Sequence, residues 1–573
     1  MVGRPLRVAL SLAFSFAISS PADAKVWCKP GNPCFPGDDI LATFNTSVGG
    51  ALIRTVPYAA VCYAGEHYNA AACEELVTNQ KVKLWRHQVP TAVMYTNWEF
   101  GENGTASEPG CLTPETVPNA PLTGTCVHGA QAPFVVNATT PETVQKSVQF
   151  AKKYNLRLRV KNSGHCYMGR SSAVGSFTIW TYYMQGYKLQ PTFVADQCAN
   201  AAQSALEVGP GTDVQGLYAA GFETNRTTIG GFTTTVGAAG GYILGGGTGP
   251  LSNRYGLGVD NVLQYQIVTA DGSLRIANAC QNADLFWALR GGGGAFGVTT
   301  RVWIKAHPAF QAVNFVKAVV IAPDLETHAK VVRALVDLSP NLLTERISGI
   351  WQTRLNGLST VSVPLRYLSS TVVPANDTYH ALDSLWNITG ITVIPTVNQY
   401  PTWFEGWKTD MLPIIETGSI VGVNLLDMSR IVQTELLQSD DGRKRMADSI
   451  MALPTDVPFI WQLNTGGKVL EVGPEETSIN PIWRNSQGFV DFPIFGPQGA
   501  VVPDQQAKVD QVRVAATEVF GAPSYYNENV PGETNWQESF WGTNYPRLLQ
   551  LKLKWDPTGV ISCRQCVGSE IFG

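Results

Sequence analysis

Leu156-Arg157-Leu158-Arg159-Val160 alternates apolar and charged side chains, and Lys161-Asn162-Ser163-Gly164-His165 follows without a break. The alternation is the period-two signature of a strand. A glycine beside small polar residues lets the chain turn beyond the strand end, so that backbone N–H groups can point inward and hold an anion such as a pyrophosphate. His165 stands beside that loop. On this motif alone it reads sooner as a satisfied structural histidine than as a functional one. Upstream, Thr140-Pro141-Glu142 opens a helix with a capping hydroxyl, a proline in the first turn and a carboxylate at the positive end of the dipole. Val144, Val148 and Ala151 then line one helical face.

A second block begins at Thr228, where nine glycines from Gly230 to Gly249 crowd into twenty residues. Thr233-Thr234-Thr235-Val236-Gly237, with Gly240 and Gly241, offers hydroxyls and unhindered amides to phosphate oxygens; a polar loop capped by glycines is the other reading. A strand over 262–269, an Ala270-Asp271-Gly272 turn, a short helix over 284–290 and a strand over 296–304 that carries Val298 follow. Gly292 to Gly297 satisfies GxGxxG, but in the order helix, glycines, strand. That is the reverse of a dinucleotide fold and points to buried turns or contact with a different cofactor. The alternation of helices and strands with glycine-rich joints is α+β material.

The chain has 573 residues, 44% apolar and 15% charged, which is enough for two or three packed domains and argues against a disordered tail. A net charge of −4 lacks the basic face of a nucleic-acid binder. Arg4 and Arg7, the apolar run from Val8 to Ile18 and the small-residue site Ala22-Asp23-Ala24 read as a secretory leader over 1–24, with a membrane anchor the lesser reading. Eleven cysteines fit an oxidising compartment and leave at least one unpaired. Spacing favours Cys28–Cys34 and Cys62–Cys73, and Cys563-Arg-Gln-Cys566 reads as a structural disulfide. Six N-x-Ser/Thr sequons lie at Asn45, Asn103, Asn137, Asn225, Asn376 and Asn387. No histidine pair has metal-ligand spacing.

Residues 25–125, rich in Cys, Pro and Gly, read as an irregular disulfide-stapled extension. A regular domain follows over 126–310, a second over 311–505 with strands at 313–321 and 361–368 and helices at 325–338 and 378–386, and a closing segment over 506–573. That segment holds Tyr525-Tyr526-Asn527-Glu528 and a final helix over 546–555 stopped by Asp556-Pro557. If 525–527 is a strand, Tyr525 and Asn527 share a face and can be aimed at one ligand.

The order of these pieces, completed by Trp541-Gly542-Thr543-Asn544-Tyr545-Pro546-Arg547-Leu548, resembles the berberine-bridge-enzyme-like branch of the vanillyl-alcohol-oxidase flavoproteins, closest to secreted fungal FAD-linked oxidases. The match covers about 125–310 and 510–573. It implies a two-part PCMH-type FAD-binding domain, built from 126–310 and 506–573, and an α/β substrate domain whose antiparallel sheet roofs the flavin. His165 matches the position that bonds covalently to the flavin. The relatives' second, cysteine link has Thr233 in its place, so the resemblance implies a single bond. Val236 matches the valine on the dioxygen route of oxidase members. Lys161, Asn162, Ser163, Gly164, Thr233, Thr234, Thr235, Gly237, Gly240, Gly241, Val298 and Asn527 are the further expected FAD contacts; Tyr525 and Asn527 are the expected catalytic pair, with Tyr525 the best candidate base. The implied activity is oxidation of a CH–OH or similar C–H donor with dioxygen reduced to hydrogen peroxide, by a secreted monomer without nucleic-acid or membrane partners. An oxidative cyclase or desaturase of a secondary metabolite, and a secreted flavoprotein that binds without turnover, are the alternatives.

Overall fold

The computed structural model describes residues 25–102, 110–345, 347–354, 358–368, 375–418 and 420–573. The leader at 1–24, the sequon at Asn103 and the side chain of Asn376 lie outside the described residues. Helix Pro141–Lys153 starts where its cap requires: Thr140 Oγ1 accepts from the Thr143 amide at 3.2 Å. Its buried face, Val144, Val148 and Ala151, packs into a core shared with strand residues Leu158, Phe177 and Ile179. Each such aliphatic side chain removed from water contributes roughly 1.5–3 kcal/mol.

Three sheets position the site. The first has four strands in the order Leu52–Arg54, Phe134–Asn137, Phe177–Trp180, Leu158–Lys161, the last three parallel. The second is a five-stranded antiparallel sheet whose centre is Val298–Lys305, flanked by Gln203–Val208 and Val262–Val268. The expected turn joins Val262–Val268 to Leu274–Asn278; Asp271 accepts from the Ser273 amide and Gly272 takes φ +81. The third is a seven-stranded antiparallel sheet in the order Thr392–Tyr400, Ala312–Ile321, Leu358–Leu368, Gly349–Arg354, Phe459–Leu463, Ser486–Gly496, Asn424–Gln433. Helices Leu325–Thr344, Asp440–Met451 and Pro503–Phe520 share a core with it. The fold is thus the expected α+β arrangement with an antiparallel sheet in its second half.

Some local expectations change. Residues 25–125 are not irregular throughout: helices Asp38–Ser47, Ala70–Asn79 and Lys83–Gln88 form there, and Leu52–Arg54 pairs into the first sheet. Only Ala70–Asn79 carries a disulfide cysteine, Cys73, while Asp38–Ser47 buries Leu41 and Phe44 on one face. The helix expected over 378–386 is two pieces, Ala375–His380 and Asp383–Trp386. Five disulfides form: Cys28–Cys34, Cys62–Cys73, Cys111–Cys126, Cys198–Cys280 and Cys563–Cys566. Cys166 is free.

The closing segment returns to the first sheet. Ile561 bridges Leu158 in parallel, and Arg159 donates to the Ser562 carbonyl at 2.7 Å. Lys552 fastens the return from helix Tyr545–Trp555. Its fully buried ammonium donates to Asp556 Oδ2 at 2.6 Å, to the Ala295 carbonyl at 2.8 Å and to the Ile561 carbonyl at 2.5 Å. Asp556 in turn accepts from the Val560 and Ile561 amides. Burial lowers the pKa of Lys552, and the Asp556 charge opposes that shift. A buried charge deprived of its partner is costly. Asp556→Ala should therefore destabilise the protein by about 3–5 kcal/mol, read as a lowered melting temperature; an unchanged melt would show that the clamp carries no stability.

Candidate active site

A cavity of about 260 Å³ opens where the first sheet, the glycine-rich loop, residues 525–528 and the third sheet meet. Strand alternation selects what reaches it. Leu158, Val160 and Asn162 line the wall. Lys161, expected among the cofactor contacts, faces away for the same reason: its Nζ donates to the carbonyls of Val89 (2.5 Å) and Pro90 (3.3 Å). Burial lowers it to about 7, with the Arg86 charge a further cause.

Ser163, Gly164 and His165 lie on the wall, and Gly164 takes φ +83 at the turn. His165 Nε2 lies 2.7 Å from Thr235 Oγ1. Part of the ring faces the cavity, yet the protein screens it from bulk solvent. Burial first, then the like charges of His87 and Lys83, hold its pKa well below the usual range, so the imidazole is neutral. His87, not singled out from sequence, is buried with its ring edge-on at 6.1 Å, and burial lowers it to about 4.

In the threonine loop, Thr233 and Val236 line the cavity, but Thr234 and Thr235 do not. Thr234 Oγ1 donates to Glu416 Oε1 at 2.7 Å, and Thr235 is spent on His165. The Gly237 amide donates to Ser163 Oγ at 3.2 Å, tying the two expected anion loops together. Gly237, Gly240, Gly241 and Val298 all lie on the wall.

Two features test whether an elongated dinucleotide such as FAD suits this space. At the wall positions Gly241 and Gly294 an added Cβ meets no protein atom within 4 Å, so any side chain there would stand in the cavity. The buried Asn162 Oδ1 has no hydrogen-bond partner, while its Nδ2 is spent on Pro210 O (2.6 Å) and Thr181 Oγ1 (3.1 Å). A glycine-lined cleft with a waiting polar atom fits the cofactor.

Tyr525 and Asn527 sit in a turn rather than a strand, because one hydroxyl from the third sheet holds the segment at both ends: Ser429 Oγ accepts from the Tyr525 amide (3.1 Å) and donates to the Glu528 carbonyl (2.5 Å). Both still reach the wall. Asn527 Nδ2 donates to Tyr525 Oη (2.8 Å) and to the Tyr242 carbonyl (3.0 Å). Burial pushes the Tyr525 phenol far above neutral, which makes it an orienting group and a poor base.

Glu528, one residue further on, also lines the cavity. Its carboxylate oxygen and those of Asp427 and Asp491 lie within 4.8 Å of one another. Gln462 Nε2 donates to Asp491 Oδ2 (2.8 Å) and Glu528 Oε2 (3.3 Å). At about 4 Å and an effective dielectric of ~20, two like charges cost about 4 kcal/mol, so the three do not all ionise. Burial pushes Glu528 up to about 7, and burial with the like charge of the neighbouring acids holds Asp427 and Asp491 well above the usual carboxylate range. A sequence signal for these residues existed: a lone acid inside an apolar run, as in Leu426-Asp427-Met428 and Val490-Asp491-Phe492, marks a buried carboxylate.

A family model described as "FAD binding domain" matches residues 132–278, and one described as "Berberine and berberine like" matches 524–568. An uncharacterized FAD-linked oxidoreductase of Arthroderma benhamiae is 30% identical over 556 residues, covering 95% of this chain and 94% of its own. The FAD-linked oxidoreductase easE of Arthroderma otae is 31% identical over 566 residues, covering 95% and 89%. Among solved structures, the VAO-type flavoprotein MtVAO713 of Myceliophthora thermophila C1 superposes with a TM-score of 0.83 at 25% identity, over 96% of this chain and 98% of that one. With both signature segments matched, and the cleft between them of a shape that suits the flavin, the chain belongs to the FAD-linked oxidoreductases of the vanillyl-alcohol-oxidase family, on its berberine-bridge-like branch.

Proposed function

We propose that this oxidoreductase is a secreted oxidase that takes hydride from a CH–OH donor and passes the electrons to dioxygen, releasing hydrogen peroxide, with FAD joined to His165 by a single covalent bond. The observation that carries the reading is the neutral, cavity-facing imidazole of His165 beside a glycine-lined cleft. With Nε2 engaged by Thr235, Nδ1 is the nitrogen left for the bond, and a neutral ring is what such a bond needs. Thr233 in place of a cysteine limits the link to one. Asn162, Ser163, Gly164, Gly237, Gly240, Gly241, Val298 and Asn527 are the wall residues that would hold the cofactor; Thr235 acts through His165, and Lys161 and Thr234 support the loops from behind. Bound FAD supplies the hydride acceptor.

Of the ionisable groups on the wall, Glu528 suits the hydroxyl proton best, since its pKa lies near the working range of a general base. Tyr525 and Asn527 orient the donor beside it. Val236 lies on the wall, and its match to the valine on the dioxygen route of oxidase relatives supports direct reaction with dioxygen over dehydrogenation. Secretion is supported by five disulfides, by exposed sequon side chains at Asn225 and Asn387, and by the absence, among the described residues, of any helix long and apolar enough to cross a membrane.

Acid precipitation of the wild type should leave the yellow chromophore with the protein, and His165→Ala should release it to the supernatant; free flavin from the wild type would refute the covalent bond. Gly241→Leu should give a colourless protein with an unchanged far-ultraviolet circular dichroism spectrum, because the new side chain occupies the cleft; retained flavin would place the cofactor elsewhere. With a donor found by a peroxide-coupled screen in air over primary and secondary alcohols, phenols and sugars, Glu528→Gln should slow the flavin bleaching then followed without dioxygen by about 10²–10⁴-fold. The wild-type rate should rise with pH through about 7, since the base acts ionised. Peroxide absent in air, with bleaching intact, would favour the dehydrogenase.

A further inference from the structure

Asp427 and Asp491 sit on the adjacent strands Asn424–Gln433 and Ser486–Gly496, and Glu528 arrives above them on the closing segment. Only Glu528 reaches the cavity wall; the two aspartates are 5% and 2% exposed. The ionisable groups that face the trio are phenols: Tyr95 and Tyr167, which stack on each other at 4.6 Å, Tyr242 from the glycine-rich loop, and Tyr525 from the same turn as Glu528. Among the described residues no lysine, arginine or histidine pairs with any of the three acids. Asp427 Oδ1 and Asp491 Oδ1 are buried without a hydrogen-bond partner, and one amide, Gln462, is shared between Asp491 and Glu528.

We infer that Asp427 and Asp491 stand as protonated carboxyls whose O–H groups hold Glu528 as the single ionised acid at the cavity wall. Without a cation, three carboxyls this close carry at most one negative charge. The charge rests on Glu528, the one member of the three that the cavity reaches; Gln462 donates to Asp491 and Glu528 alike and does not choose between them. The other two, neutral, change from acceptors into donors. An acid kept neutral by its burial and used as a hydrogen-bond donor is sound chemistry in a dry site. Their partnerless oxygens are where the protons have room to sit. The gain is a base that stays ionised near neutral pH although no basic side chain neutralises it. Asp427 and Asp491 are thus positioning residues, and their catalytic consequence rests on the reading of Glu528 as base; their protonation does not.

The test begins with infrared spectra of the holoenzyme at pH 7, which need no substrate. The carbonyl stretch of protonated carboxyl groups should be present in the wild type and diminish in Asp427→Asn and in Asp491→Asn. A wild-type spectrum without that band, or one that neither substitution changes, overturns the inference. So does a stoichiometric divalent cation whose removal by chelator is needed before the band appears. The second measurement is the pH profile of anaerobic flavin bleaching. Asp491→Leu and Asp427→Leu, which lack the donor, should move the rising limb up by about one unit, a roughly tenfold slower rate below it, while the Asn variants, which keep an N–H donor, stay within about threefold. Leu variants with an unmoved limb refute the positioning role even if Glu528→Gln abolishes bleaching. Normal bleaching in Glu528→Gln would instead refute the base, and the infrared result would still decide the protonation.

Discussion

One buried ammonium joins the two ends of this fold. Lys552 has no water to solvate it and draws its stabilisation from Asp556 and two carbonyls, one of them Ala295 beside the glycine turn and the other Ile561 at the edge of the first sheet. Because those acceptors belong to separate elements, satisfying one charge brings the closing segment against both. The buried Arg430–Glu533 pair does the same from the other side, tying the third sheet to the 521–533 stretch, with Arg430 also bonded to Ser524 and Thr517. The turn that carries Tyr525, Asn527 and Glu528 lies along the chain between Ser524 and Glu533, both held by Arg430.

That arrangement explains why the cavity lies at a seam. The histidine side comes from a strand end, where a glycine can turn the chain, and the acid side comes from a sheet face, where alternate residues point one way. Neither lobe alone contains both a cofactor cradle and an ionisable group suited to moving a proton. The carboxyls cluster where the sheet is driest, and the burial that makes them costly also raises their affinity for protons.

Local signals in the sequence were sufficient for the elements that cap or alternate cleanly. Thr140 at the helix start, the Asp271-Gly272 turn and the strand into His165 are each fixed by interactions within a few residues, and the structure has them in place. The close pairs Cys28–Cys34 and Cys62–Cys73 were legible for the same reason, whereas Cys198–Cys280 spans 82 residues and was not. Lys161 was misplaced because it adjoins Asn162–His165 in sequence, yet it points to the strand face opposite Val160 and Asn162. Glu528 was passed over because its partners, Asp427 and Asp491, lie 101 and 37 residues away and only the folded sheet brings them to it. In residues 25–125 the apolar stripe Leu41, Phe44 and, at the C-cap, Val48 of the helix Asp38–Ser47 was present but lay among cysteines, prolines and glycines.

The return of residues 559–563 to the first sheet has a consequence for how the molecule comes into being. Until residues 525–563 have emerged from the ribosome, the cleft lacks a side, and the lysine that would draw it shut has not met its acceptors. Flavin capture therefore waits until residues 525–563 have closed the cleft, so that colour would mark molecules in which this segment has docked.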